Sequence, residues 1–193
     1  MRIFFDCEFT GLHKDTTLIS IGLVTENGER FYGETTDYDE RQCTPWIIEN
    51  VLDYTILGGN ESLAAALGED NQTLIVLGSS ADVANELRAW LERYRDLQIQ
   101  FVSDVCHYDM VLLIDLLWEN ALKIPGNINP FCRDIAGDLT REFYMDEKKA
   151  FDISREQFLI DRKIALPKGQ KHNSLYDAEV IKEIFEYLDM PFT

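Results

Sequence analysis

This chain places aspartate and glutamate at positions where a folded protein puts acids only for a reason. Asp6 and Glu8 fall within the apolar stretch Met1-Arg2-Ile3-Phe4-Phe5-Asp6-Cys7-Glu8. In a strand, Phe4, Asp6 and Glu8 share one face while Ile3, Phe5, Cys7 and Phe9 share the other. Two like charges side by side on a buried face are costly unless a basic partner, a shared proton or a bound cation neutralises them. An edge strand with a solvated acidic face would need none of these, so this pair alone leaves both readings open.

Asp109 and Asp177 repeat the pattern on helices. Asp109 opens an apolar helical segment and lies on the same stripe as Leu112, Leu113, Leu116 and Leu117. A first-turn aspartate complementing the helix dipole would also explain it. Asp177 shares its stripe with Ile181, Ile184 and Leu188, although Ser174-Leu175-Tyr176-Asp177 also has capping-box spacing. Each local explanation accounts for one acid, whereas convergence on one sheet face accounts for all four. Oxygen-only donor sets suit hard cations such as Mg²⁺ or Mn²⁺. Two such ions roughly 3.5–4 Å apart stabilise the attacking and leaving oxygens of a phosphoryl displacement. His172, five residues before Asp177, could then act as general base towards an attacking water. Its alternative is a surface histidine near a helix start.

The elements that must position these groups follow from periodicity. Residues 2–9, 17–25 and 29–35 read as strands, and Asn27-Gly28 supplies a hairpin turn between the second and third. A helical segment near 45–54 precedes a polar, glycine-punctuated stretch from 58 to 73, read as irregular, and the short apolar run 74–77 reads as a strand. Ser79 or Ser80 caps a helix to about residue 95, residues 98–103 form another strand, and an apolar helix covers about 108–120. The loop 124–130 ends it, a region of mixed helix follows, and the last helix spans about 173–188. Strands first and helices afterwards imply an α/β fold, a mixed sheet with helices packed on it.

Bulk properties bound the answer. The 193 residues, 46% hydrophobic and 27% charged, suit one domain over 1–193. No export signal or membrane span is visible, and Cys7, Cys43, Cys106 and Cys132 lack CxxC spacing, so a reducing cytoplasm is expected. A formal charge of −17 argues against an electrostatic nucleic-acid coat. Seven of the eighteen basic residues, Lys148, Lys149, Arg155, Arg162, Lys163, Lys168 and Lys171, nevertheless cluster between 148 and 171. They form either a solvated surface or a local anion-binding segment.

Read as motifs, the same residues resemble the DEDDh exonucleases. Asp6-Cys7-Glu8-Phe9-Thr10-Gly11-Leu12 resembles the family's D-x-E-x-T-G-L first motif, and His172-Asn173-Ser174-Leu175-Tyr176-Asp177 its H-x4-D third motif. Cys106-His107-Tyr108-Asp109-Met110-Val111-Leu112-Leu113 is similar to the second, more loosely defined one. The resemblance implies a ribonuclease H-like fold with a five- or six-stranded mixed sheet, and 3′→5′ hydrolysis. It also implies two divalent ions on Asp6, Glu8, Asp109 and Asp177, with His172 as base. Thr10, Gly11 and Leu12 would contact the terminal nucleotide through backbone groups and an apolar wedge. Ser103-Asp104-Val105 replaces a frequent His-Asn pair, which makes Asp104 a competitor for the role of Asp109. The compact length is similar to small stand-alone bacterial exoribonucleases, often dimers. The expected substrate is therefore single-stranded RNA or a 3′ overhang, with a DNA exonuclease, a noncatalytic binding domain and a nucleotide hydrolase as alternatives. Phe9, Phe143 and Tyr144 are candidates for base stacking, or for the core.

Overall fold

The computed structural model describes residues 1–68, 72–143 and 146–189. Strands β1 (Arg2–Phe9), β2 (Leu18–Thr25) and β3 (Arg30–Thr35) form the expected antiparallel meander. Gly28 turns the hairpin with φ of 88°, in the left-handed region that glycine adopts without steric cost, and its amide donates to Thr25 O at 2.9 Å. Helix α1 (Pro45–Asn50) starts behind a Thr44 cap, and α2 (Glu61–Gly68) lies inside the stretch read as irregular. That helix buries none of its residues, so no apolar stripe announces it. It starts from a local signal instead, Asn60 Oδ1 accepting the Leu63 amide at 3.0 Å.

Strand β4 (Thr73–Gly78) pairs parallel with β3, and α3 (Ser80–Glu92) opens on a capping box between Ser79 and Asp82. Strand β5 (Gln100–Ser103) lies parallel to β1 and leads into α4 (His107–Trp118). The region expected to be mixed helix begins with a two-residue strand, β6 (Arg133–Asp134), too short to leave a periodic signal. Then come α5 (Ile135–Glu142), α6 (Glu147–Asp152), α7 (Arg155–Asp161) and the long α8 (Ser174–Asp189). The six strands order as β4-β3-β2-β1-β5-β6, with β2 antiparallel to both neighbours and every other pairing parallel.

Alternation along β1 divides the interior. Ile3, Phe5 and Cys7 join the core under α3 and α4, with Val83, Leu87, Trp90, Leu112 and Leu113. Phe4 joins the core under α5, α7 and α8, with Ile135, Leu139, Phe158, Ile181, Ile184 and Phe185. Each fully buried side chain of this size contributes about 1.5–3 kcal/mol. The second face therefore continues from Phe4 to Asp6 and Glu8, where apolar packing gives way to acids. Among the described residues no helix is long and apolar enough to cross a membrane, and all four cysteines are unpaired thiols.

Candidate active site

Two rows of residues cross the sheet on the face that carries the acids. One runs Asp6, Gly22, Tyr32 and the other Glu8, Ser20, Glu34, each from β1 through β2 to β3. The small central residues of these rows admit the N-terminus of α8. A Cβ on Gly22 would lie 2.2 Å from the Leu175 nitrogen, and the hydroxyls of Ser20 and Ser174 are 2.9 Å apart. Asn173, rather than Ser174, caps the helix, its Oδ1 accepting the Tyr176 amide at 3.2 Å. Asp177 Oδ2 reaches back to accept the His172 amide at 2.8 Å, and His172 itself takes φ of 65°. Glu8, His172 and Asp177 thereby each present a ligand atom within 4.8 Å of the others.

Asp109 arrives from the opposite side of β1. Pairing between β1 and β5 ends at Phe4 opposite Val102, so the Cys7 amide on that edge lacks a strand partner. Asp109 Oδ1 accepts it at 3.0 Å, and the residue is 6% exposed. The preceding loop is pinned by Asp134, which accepts the Val105 and Cys106 amides at 3.1 and 3.2 Å as well as the Ala136 amide at 2.8 Å. Val105 is held there at φ of 50°, a strained conformation for a β-branched residue. The Asp109 carboxylate is thus anchored to β1, beyond what a dipole-complementing aspartate requires.

Protein groups only partly offset the charge of this cluster: Lys171 lowers Glu8 and Asp177, and backbone amides lower Asp109 and Asp177. Among the described residues no hydrogen-bond donor reaches the carboxylates of Asp6 or Glu8. Burial, followed by the charges of Asp109, Asp177, Glu8 and Asp104, pushes the Asp6 carboxyl well up. Burial also raises Glu8, reinforced by Asp177 and Asp109 and opposed only by Lys171. Burial lifts Asp109 to about 7 against the pull of the Cys7 amide, and lifts Asp177 to about 7 against the His172 amide and Lys171. Such a set either holds protons or holds cations, and carboxylate oxygens suit a hard divalent ion. The donor set therefore fits Mg²⁺ or Mn²⁺. His172 shifts the other way, lowered by burial first and by Lys171 second, which keeps its imidazole neutral and able to accept a proton at neutral pH.

The 3′-5′ exoribonuclease Rv2179c-like domain profile matches residues 1–188. The chain belongs to this family. The 3′-5′ exoribonuclease Rv2179c of Mycobacterium tuberculosis (strain H37Rv) is 38% identical over 52 residues, 27% of this chain and 31% of that protein. The alignment thus spans about a third of the curated relative's length. Among solved structures, Pop2p of S. pombe in its Mg²⁺- and Mn²⁺-bound form superposes with a TM-score of 0.56 at 15% identity, over 97% of this chain and 82% of that one. A full-length 3′-exonuclease gives 0.63 at 12% identity, over 97% and 80%. A 3′-exonuclease recognising the 3′ end of a histone mRNA stem-loop also gives 0.63 at 12%, over 97% and 63%. At these identities the likeness concerns the fold, which is the ribonuclease H-like α/β arrangement.

Within this exoribonuclease family frame, several expected residues have local duties. The Thr10 amide donates to Thr17 O at 3.0 Å, and its hydroxyl donates to Gln42 Oε1 at 2.5 Å and accepts the Thr17 amide at 2.9 Å. The Gly11 amide donates to Thr16 Oγ1 at 3.0 Å. Both residues therefore shape the loop, and Leu12, 79% exposed, is the member of the trio that faces outward. Asp104 lies close enough to raise Asp6, but Arg155 grips it with Nε and Nη2 at 2.6 and 2.7 Å, so it already has its cation. Among the described residues Asp109 has no such basic partner.

The basic segment divides in the same way. Arg155 is committed to Asp104, and Arg162 lies 3.5 Å over the Phe158 ring. Lys148, Lys149, Lys163, Lys168 and Lys171 are exposed. Lys171 is the one whose charge reaches Glu8 and Asp177. Phe9 stacks on Tyr108 at 5.4 Å and Phe143 packs edge-on against Phe158 at 5.7 Å, so each is engaged within the protein. Tyr144 lies outside the described residues.

Two features of the site were not readable from motif spacing. Trp46, 54% exposed on α1, meets the His172 ring edge-on at 5.1 Å. Its neighbour Ile47 is the buried residue of that helix, which turns Trp46 outward. The second feature is the buried pair Tyr32 and Glu34 at the far ends of the two rows, Tyr32 bonded to Asn173 and Glu34 to the Ile56 and Leu57 amides.

Proposed function

We propose that this protein is a divalent-cation-dependent 3′→5′ exoribonuclease that removes nucleotides from single-stranded RNA or a 3′ overhang. The observation that supports the reading is the group Glu8, His172 and Asp177, whose ligand atoms lie within 4.8 Å of one another at the C-terminal end of β1, with Asp6 and Asp109 close enough for the acids' charges to raise one another. Two Mg²⁺ or Mn²⁺ ions held by the four carboxylates would stabilise the attacking and leaving oxygens and the charge on the phosphate. His172, neutral at working pH, takes the proton of the attacking water at its free ring nitrogen. Leu12 wedges against the terminal nucleotide, on a turn shaped by Thr10 and Gly11. Exposed lysines of the 148–171 segment, Lys171 foremost, attract phosphates to a protein of net charge −17. Local rather than overall attraction implies release after each cleavage on short strands. A homodimer belongs to the same proposal, and sedimentation equilibrium checks it.

The test follows end-labelled RNA and DNA oligonucleotides of matched sequence with Mn²⁺ or Mg²⁺. Stepwise shortening of the RNA from its 3′ end, abolished in Asp6→Ala protein, is the expected result. Shortening of DNA alone would redirect the substrate, and equal activity in the Asp6→Ala protein would remove the site.

A further inference from the structure

We propose that Glu34 and Tyr32 are positioning residues that set the His172 loop, which rests on the reading of His172 as the general base. They sit on the flank of α8 opposite the catalytic acids, across Gly22 and Ser20. Glu34 is 1% exposed, and its carboxylate accepts three hydrogen bonds: from the Tyr32 hydroxyl at 2.6 Å, the Ile56 amide at 2.6 Å and the Leu57 amide at 2.8 Å. A carboxylate at the end of a strand with three donors aimed at it is strongly held. Tyr32, 0% exposed, has its proton directed at Glu34 and so offers a lone pair on the other side, where Asn173 Nδ2 donates at 2.9 Å. Asn173 also donates to Tyr54 O at 3.4 Å, caps Tyr176 through Oδ1, and its carbonyl accepts the Asp177 amide at 2.9 Å.

This chain fixes the direction of every hydrogen bond in it. Glu34 only accepts, so Tyr32 must donate to it and accept from Asn173, which leaves Asn173 Oδ1 for the helix cap. The amide of Asn173 is therefore locked in one orientation, one residue after His172. His172 pays a left-handed φ of 65° to aim its ring at the acids, and no protein hydrogen bond to that ring is found among the described residues. Its amide is held by Asp177, and the next residue in the chain, Asn173, is fixed by the Gln170 carbonyl, the Asp177 amide and Tyr32, so the ring's aim, with Trp46 edge-on beside it, depends on how Asn173 is set. A buried relay from β3 thereby sets a side chain that β3 does not touch.

The decisive variant is Tyr32→Phe, which keeps the buried ring and deletes the central hydroxyl. On an RNA oligonucleotide kcat should fall about tenfold, since small misplacements of a catalytic group cost on that scale or more, while KM and Mn²⁺ affinity stay within about twofold. In a His172→Ala background the same substitution should change kcat less than about twofold, because the group it positions is gone. An undiminished kcat, or an equal loss in both backgrounds, overturns the proposal.

A second readout needs no turnover. The chain has three histidines, so the His172 imidazole signal in a ¹H–¹⁵N spectrum of metal-free protein is assigned by comparison with His172→Ala. Tyr32→Phe should move that signal and leave those of His13 and His107 in place, and an unmoved signal overturns the proposal. Inactive wild-type protein would instead count against the exoribonuclease reading and leave the spectral test standing. If Tyr32→Phe does not fold, Glu34→Gln carries both measurements.

Discussion

The backbone amide of His172 donates to Asp177 Oδ2 at 2.8 Å, so one carboxylate both belongs to the acid cluster and holds the loop that carries His172. Substitution to asparagine separates the two duties, because an amide oxygen still accepts the His172 N–H while the charge is gone. Asp177→Asn protein should lose its Mn²⁺-dependent activity. Its metal-free form should melt at or above the wild-type temperature at pH 8, since a like charge has left a buried cluster. Differential scanning fluorimetry beside the exonuclease assay tests both, and a melting temperature several degrees below wild type would show that the loop contact needs the charge.

Gly22 admits α8 to the sheet at the point where Asp177 must approach Asp6. A methyl group there would meet Leu175 backbone atoms at 2.2 and 2.3 Å, which only displacement of the helix relieves. Gly22→Ala should cost about 1–3 kcal/mol, the usual range for overpacking, and should lower activity at temperatures where the protein remains folded. Gly33→Ala is the control. Its new Cβ meets Val83 Cγ1 at 2.6 Å on the face away from the acids, where a side chain can yield. Urea melts and kcat measured on both variants test whether activity follows only the first.

The acids also make a prediction about pH. Asp109 and Asp177 move from an ordinary 3.8 up to about 7 on folding, mainly through burial. A carboxyl with a raised folded pKa binds its proton more tightly in the native state, so its contribution to stability is present below about 4 and is lost as pH rises through about 7. Between those limits these two groups make the metal-free protein less stable as pH increases. Mn²⁺ should reverse the trend, raising the melting temperature more at pH 8 than at pH 6, because it binds the deprotonated set. Thermal melts across that range with and without Mn²⁺ provide the measurement. A metal-induced shift that did not change with pH would mean that the ion binds elsewhere.

What could be read in advance divides by the range of the interaction. Asp6 and Glu8 were legible because strand alternation is a local rule, and Asp177 because its stripe mates Ile181 and Ile184 are buried in the same helix. Asp109 shares its stripe with Leu112, Leu113 and Leu117, all buried, but its bond to the Cys7 amide crosses 102 residues and has no local signature. What distinguishes Asp104 from Asp109 is its pairing with Arg155, 51 residues further along the chain. Helix α2 leaves no sequence signature because it buries nothing, and β6 because two residues carry no period. The capping role moved from Ser174 to Asn173 because Ser20, on another strand, takes the Ser174 hydroxyl. Local patterns thus located the acids, and pairings between distant segments determined which of them stayed unpaired.

The basic segment yields a prediction that separates its members. Each lysine that contacts a phosphate of a single strand adds about 0.7 to the slope of log affinity against log salt. Lys171→Ala should therefore raise KM for RNA and flatten its salt dependence by roughly that amount, since this side chain is exposed and its charge reaches the acid cluster. Arg162→Ala should leave the slope unchanged, because that guanidinium is spent on the Phe158 ring and the Phe158 carbonyl. It should lower stability instead, through lost packing. Arg155→Ala frees Asp104 beside Asp6, so it adds an uncompensated negative charge to the cluster and should raise KM without changing the slope by a full contact. KM values between 50 and 200 mM salt for the three variants separate these outcomes. A flattened slope in Arg162→Ala protein would return that residue to the RNA-binding surface.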